Sequence, residues 1–449
     1  MIRHSFKMIW AERKSNTWIL AELIIIFSIL WFCSSFIYEK GKSYLEPVGF
    51  DIQHTYILRF KLKNDLSERD RKTMDERALD GQLIFDRIKK HPGIEVACFS
   101  ENYSYPYSGS YSMKGYTKDS SSYYASIRPV SPEFFDVFKI KFQKGSPFRS
   151  DEILSEKQVV ASPDSKNKFY NENILETKYI LEQELDPSAP DPQTREEWDN
   201  AKYIDISLQI TGATNKIKRG DFEYYEKVVF YPLKKDQLKY LAGNVAISIR
   251  VKPSADKDFP TTFMSEMKEQ LSVGDFELMS IEPYSEIRQT YSNMMKTGKE
   301  IQSVLAIIIF LLINVFLGIL GTFRFRTNSR RGEIGLRCAL GSDKGKIRKL
   351  FLGETFFLLL PASIIGTIIA INVQLTGILP KLGVPFLSNA VLSSATENKN
   401  LPVDFSALQT NIMTYLITFA IMLIIIWLGT WYPAKKASEI QPAEALHYE

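Results

Sequence analysis

The sequence predicts an α-helical membrane protein with four transmembrane helices plus a large α+β extracytoplasmic domain of two lobes. Three observations predict it. Four long apolar blocks stand apart from the rest of the 449 residues. A charged stretch, residues 39–300, separates the first block from the other three. Within that stretch two strand-helix-strand patterns bracket a strand-rich middle. The overall figure of 24% charged residues suits a soluble protein only because the charges fill the space between the blocks.

The chain opens with "IRHSFKMIWAERK" inside residues 1–17, read as an amphipathic helix on the cytoplasmic face. Residues 18–38, "WILAELIIIFSILWFCSSFIY", form the first span, with one acid at Glu22. This block is longer than a signal-peptide core and no A-x-A site follows it, so an uncleaved anchor is expected. Leu30, Trp31 and Phe32 before Cys33 are not the small residues that lipidation requires.

Residues 39–300 are expected outside the membrane. "HTYILRFKL" leads through a charged helix into "IEVACFS", and the same order recurs as "VAISIRVKP", "TTFMSEMKEQL" and "DFELMSIEPYSEI". One α+β lobe built from both ends of the domain follows, with a β-rich middle lobe at about residues 150–235 inserted into it. Its insertion "ETKYILEQELDPSAPDPQTREEWDNAKY" fits no known pattern. Tyr103, Tyr105 and Tyr107 alternate as on one strand face, which suits either a binding surface or, more plainly, an exposed hairpin. The stretch holds 39 Lys and Arg against 42 Asp and Glu, so the net charge of +4 belongs to the membrane rim and lends no support to nucleic-acid binding.

Residues 301–323 are the second span, uncharged until Arg324. The segment 324–349 carries nine Lys and Arg, against four in the first 17 residues. Residues 351–373 form the third span, 374–410 a periplasmic loop with only Lys381 and Lys399, 411–432 the fourth span, and 433–449 a tail. This asymmetry places both termini and segment 324–349 in the cytoplasm. Cys33, Cys98 and Cys338 then lie in three different environments, and no intramolecular disulfide forms.

Little here encodes bond-making chemistry. "GSDKGKI" at Gly341 to Ile347 is one residue short of a phosphate loop and ends in Ile347 where a hydroxyl must hold magnesium. His4, His54, His91 and His447 are scattered, and no H-x-x-x-H, C-x-x-C or G-x-S-x-G occurs. No metal, cofactor or catalytic residue is expected. Glu22 and Glu354 are the ionisable groups of the spans, both near cytoplasmic helix ends where a carboxylate reaches water.

Segment Arg330 to Gly341 reads as a short amphipathic helix. Ile334, Leu336, Cys338 and Leu340 supply apolar contacts, Glu333 and Arg337 sit at i, i+4, Gly341 ends the helix, and Ser342 and Asp343 cap the next. A plain charged loop would fix topology equally well but needs neither an apolar face nor a glycine stop.

At these residues the chain resembles the MacB/FtsX-type ABC transporter permeases. Arg330, Glu333, Ile334, Gly335, Leu336, Arg337, Ala339, Leu340 and Gly341 follow the family pattern R-x-x-E-I-G-[IL]-R-x-A-L-G-A, with Ser342 for the final alanine. The tail resembles P-A-x-x-A-x-x-x-x-P-x-E-A-L through Pro433, Ala434, Ala437, Pro442, Glu444, Ala445 and Leu446. "VSPEFFDVFKIKFQKGSPF", Val130 to Phe148, is similar to a phrase of the MacB-type external domain.

The resemblance implies a permease subunit in the bacterial inner membrane, paired as a homodimer or heterodimer with a second permease. A separate cytoplasmic ABC ATPase hydrolyses ATP, and the resulting motion drives efflux from the periplasm or outer leaflet. A periplasmic adaptor and an outer-membrane channel accompany MacB-type members. Arg330, Arg331, Glu333, Ile334, Gly335, Arg337, Ala339, Leu340 and Gly341 would couple to the ATPase, with the amphipathic N-terminal stretch "IRHSFKMIWAERK" sharing the docking surface. Relatives on the same frame release lipoproteins or regulate a cell-wall hydrolase without transport, so those readings stay open.

Overall fold

The computed structural model describes residues 13–64, 71–118, 121–148, 158–162, 179–185, 194, 202–340, 342–376 and 405–439. It divides into two compact units, Ser43–Lys296 and the helical remainder, Met1–Lys42 with Thr297–Glu449. Helix α1 spans Arg13–Leu45, and its last turn belongs to the first of these units.

The external unit begins with β1 (Thr55–Leu62), α2 (Met74–Lys89) and β2 (Ile94–Glu101). Thr73 caps α2: its hydroxyl accepts from the Glu76 amide while the Glu76 carboxylate accepts from the Thr73 amide. There follow β3 (Ser112–Lys118), β4 (Ser121–Val130), the single turn α3 (Phe134–Val137), β5 (Phe142–Gly145), β6 (Gln158–Ser162), β7 (Tyr179–Leu185), β8 (Tyr203–Thr214) and β9 (Val228–Pro232). The unit closes with β10 (Val245–Val251), α4 (Phe259–Met267), β11 (Phe276–Pro283) and α5 (Tyr284–Met295).

Strands β11-β1-β10-β2 lie side by side, every pair antiparallel. Two strand-helix-strand halves interleaved this way make a ferredoxin-like layer, in which the second half's β10 separates β1 from β2. Each strand alternates faces. On one side Leu58, Phe60, Phe99 and Ile249 pack with α2 residues Ile84, Phe85 and Ile88 and with Phe259 and Phe263 of α4. On the other, Ile57, Cys98 and Ala246 meet Phe134, Phe138 and Tyr284. The phrase Val130 to Phe148 thus becomes the aromatic wedge of the second core, with Phe134 and Phe138 ring centroids 4.7 Å apart.

The second lobe differs from expectation in extent. Strands β4-β3-β7-β8-β6-β9 pair in sequence and β9 pairs back to β4, closing a six-stranded ring. The ring starts at Ser112, upstream of residue 150, because β3 and β4 supply two of its walls. Its filling includes Tyr116, Ile127, Val159, Ile180, Leu208 and Val229. Most of the insertion before Tyr203 lies outside the described residues.

The tyrosine run also differs. Residues 102–108 turn rather than extend, and Tyr105 and Tyr107 are buried, at 9% and 3% exposure. Tyr107 stacks edge-on to Phe50 and Tyr291 and donates to Asp221 at 2.9 Å. A turn lets both rings point inward, which Pro106 between them favours over a strand ladder.

In the helical unit α1 is joined by α6 (Thr297–Ser329), α7 (Arg331–Ala339), α8 (Lys344–Thr376) and α9 (Phe405–Ser438). The helices α1, α6, α8 and α9 are long and apolar enough to cross a membrane. Ile309, Ile313 and Leu317 form an exposed stripe on α6 at four-residue spacing, suited to lipid, whereas Val315, Ile319 and Phe323 face the bundle. Close crossings occur at glycine: an added Cβ at Gly366 of α8 would lie 3.1 Å from Phe27 and 3.2 Å from the Ile24 carbonyl of α1. There Ser28 donates to the Gly366 carbonyl at 3.0 Å.

Candidate functional site

The basic segment folds as one element between two spans. Helix α6 runs to Ser329, Arg330 makes the joint, and α7 follows at once, with the Ile334 amide donating to the Arg330 carbonyl at 3.0 Å. Within α7 Arg337 donates to Glu333 at 2.6 Å, the expected i, i+4 pair. Asp343 then caps α8: its carboxylate accepts from the Gly345 amide at 3.2 Å and its carbonyl from Lys346 at 2.9 Å.

The apolar face is narrower than the sequence suggested. Ile334 is 5% exposed and Gly335 is buried, but Leu336 and Leu340 stand 54% and 79% exposed. The reason is geometric: at about 100° per residue, Ile334 and Leu336 lie on opposite sides of a helix. Leu336 and Leu340 therefore share an outer stripe with the exposed Gly332 and Ala339, while Ile334 joins a buried cluster that includes Phe323, Ile347 and Phe351. Arg331 is partly buried beside this stripe.

Arg330 anchors the element. Its guanidinium donates to the Glu354 carboxylate of α8 at 3.0 Å, with side chains 12% and 2% exposed. Glu354 was expected to reach water at a helix end; it is instead buried and ion-paired, because its helix position faces the α6–α7 joint rather than solvent. Glu22 sits partly buried against Gly318, in a small crevice lined by Ile19, Leu23, Val315 and Thr322.

The tail motif is brought to the same place. Pro433 and Ala434 lie inside α9, and Ala434 and Ala437 are buried in the cluster that holds Ile334. Arg348 of α8 donates to the Ser438 hydroxyl at 3.1 Å, tying the two helix ends together. Gly341, Pro442, Glu444 and Leu446 lie outside the described residues, as does the amphipathic stretch before Arg13.

Two contacts between helices, Arg330 with Glu354 and Arg348 with Ser438, escaped the sequence reading. Glu354 was visible as a lone acid opening an apolar run, but its partner lies 24 residues upstream, and Ser438 carried no signal. Among the described residues no group of three or more His, Cys, Asp or Glu is placed to hold a metal ion.

Residues 305–442 match the family described as FtsX-like permease C-terminal. This segment is an FtsX-like permease domain. Its matched span begins in α6 and takes in α7, α8 and α9, so Arg330, Ile334 and Glu354 all lie within the permease domain, whereas the cluster around Ile334 also draws in Phe27 and Trp31 of α1 from outside it. The chain's homologues are ABC transporter permeases. It is 27% identical over 285 residues to the ABC transporter permease YtrF of Bacillus subtilis, covering 63% of this chain and 60% of that one. It is 31% identical over 132 residues to the macrolide export ATP-binding/permease protein MacB of Chlorobaculum tepidum, covering 29% and 17%. It is 28% identical over 120 residues to the lipoprotein-releasing system transmembrane protein LolC of Haemophilus influenzae, covering 27% of each. The matches thus span at most 60% of these relatives' length.

Similar solved structures include the periplasmic region of MacB from Actinobacillus actinomycetemcomitans, at 15% identity over 56% of this chain and 98% of that one, with a TM-score of 0.28. The extracellular domain of YknZ from Gram-positive bacteria is another, at 9% identity over 50% of this chain and all of that one, with the same TM-score of 0.28.

Proposed function

We propose that this chain is the membrane subunit of an ABC-type export complex, in which a separate cytoplasmic ATPase docks on α7 and its motion drives efflux of a substrate outside the membrane. The observation that carries the reading is the two-sidedness of α7. Ile334 and Gly335 fasten it to the bundle, while Gly332, Leu336, Ala339 and Leu340 present a compact apolar stripe beside the Glu333–Arg337 pair. A helix held rigidly on one face and bare on the other suits a partner that grips it and moves it.

In this reading Arg330 and Glu354 act as the stiff joint. Force applied to α7 passes to α6 through the direct chain connection and to α8 through the buried ion pair, and Arg348 with Ser438 brings α9 along. Both termini and α7 face the cytoplasm, as the basic residues of segment 324–349 favour. ATP is hydrolysed by the partner, and the chain pairs with a second permease, identical or of another kind.

Purification of the tagged chain from its native membrane in mild detergent tests this. An ATPase subunit co-purifies with the unaltered chain and is lost with Leu336→Glu and Leu340→Glu, which leave the chain folded. Retention of the ATPase by both variants would sink the docking role of α7. An adaptor in the same complex supports export, whereas a cell-wall hydrolase partner or lipoprotein cargo points to the related roles.

A further inference from the structure

The external unit holds a second arrangement that the docking site does not use. Its first residues, Ser43–Val48, and its last helix, α5, are far apart in sequence, yet both rest on one short segment, Lys216–Glu226.

On the entry side, Lys218 is fully buried and its ammonium donates to the Ser43 carbonyl and, at 3.3 Å, to the Glu46 carbonyl, with the Glu46 carboxylate at 3.5 Å. The Lys218 amide donates to the Val48 carbonyl at 2.9 Å, and the Tyr225 hydroxyl to the Pro47 carbonyl at 2.9 Å. Tyr44 stacks on Phe222 with ring centroids 5.0 Å apart. Gly49, at φ +91°, presses so close that a Cβ would strike the Lys216 carbonyl.

On the exit side, Arg288 of α5 donates to Asp221 at 2.7 Å, and the Tyr291 hydroxyl donates to the Glu223 carboxylate. A Cβ at Gly220 would collide with the Tyr291 ring. Glu223 bridges the two sides within one residue, since its carbonyl accepts from the Ser43 hydroxyl at 2.6 Å while its carboxylate receives Tyr291.

A surface loop that merely closed the chain would not bury a lysine against three backbone and side-chain oxygens, because an unpaired buried ammonium is costly. We infer that Lys216–Glu226 is a strap that locks the entry and exit of the external unit into one body. Displacement of either end is then passed to the other through Glu223 before it reaches the rest of the unit. The strap goes beyond the proposed function and needs neither nucleotide nor partner.

Hydrogen exchange of the full chain in detergent micelles, with Lys218→Met and Tyr291→Phe compared, tests the coupling. Lys218→Met touches only the entry side, and it is expected to raise exchange in α5 as well as in residues 43–48. Tyr291→Phe touches only the exit side, and it is expected to raise exchange in residues 43–48. Each cross-effect should reach roughly tenfold, as loss of a buried hydrogen bond loosens a local opening unit. Where Lys218→Met loosens β10 too, the fold itself has given way, and Tyr225→Phe supplies the gentler entry-side variant. Effects confined to the altered side, or none on either side, would overturn the strap.

Discussion

Arg330 and Glu354, 24 residues apart, meet at 3.0 Å as a buried ion pair that joins the start of α7 to the third apolar helix. Removing one partner leaves the other charge buried, so Glu354→Leu and Arg330→Met should each lower stability by about 3–5 kcal/mol. The double variant Arg330→Met/Glu354→Leu should recover most of that loss. Denaturant titration in mixed micelles reads the cycle, and additive single losses would mean that the pair does not hold the joint.

The outer pair of α7 should behave in the opposite way. Glu333 is 45% and Arg337 29% exposed, so Glu333→Gln should change stability by only about 0.3–0.5 kcal/mol. If α7 is the docking element, the same substitution lowers ATPase co-purification. A stability loss of core size with unchanged partner binding would give Glu333 a purely structural role.

Glycine positions in the helical unit should separate sharply. Gly366→Leu must displace Phe27 or the α1 backbone and should cost about 1–3 kcal/mol. Gly321 has nothing within 4 Å of a built Cβ, so Gly321→Ala should be neutral or stabilise by about 0.5–1 kcal/mol. Unfolding in mixed micelles distinguishes them, and equal effects would argue against a close α1–α8 crossing.

Acid should weaken the external unit through Glu226. Burial alone would raise its carboxyl, but Arg128 and Arg219, with Ser126, hold it below the ordinary glutamate value of 4.5. A folded value below the unfolded one means that its contribution is complete above pH 4.5 and is lost as pH falls through the folded value. Glu226→Gln should therefore cost about 1.5–3 kcal/mol at neutral pH and flatten the acid limb of the thermal stability profile. An unchanged acid limb would remove Glu226 from the balance.

The buried thiol of Cys98 should be inert. Burial pushes it well above its ordinary value, with Glu133 adding to the effect, so little thiolate exists at neutral pH. Maleimide should label Cys98 only after unfolding, as read by peptide mapping that separates it from Cys33 and Cys338, and prompt labelling of Cys98 in the native chain would contradict its place beneath Phe134 and Tyr284.

The four apolar helices, the two strand-helix-strand halves and the Glu333–Arg337 pair were legible because each depends on local composition or a fixed spacing along one element. Helix length and apolarity are properties of consecutive residues, and an i, i+4 pair needs only a helix to form. The tertiary structure alone decided what meets across elements. It interleaved β10 between β1 and β2, drew β3 and β4 into the closed second lobe, and turned Leu336 and Leu340 outward. It also buried Glu354 against Arg330 and set Ser43 and Tyr291 on the same Glu223. Each of these depends on the packing of faces that lie far apart in sequence, where one step along a helix or strand moves a side chain from core to surface.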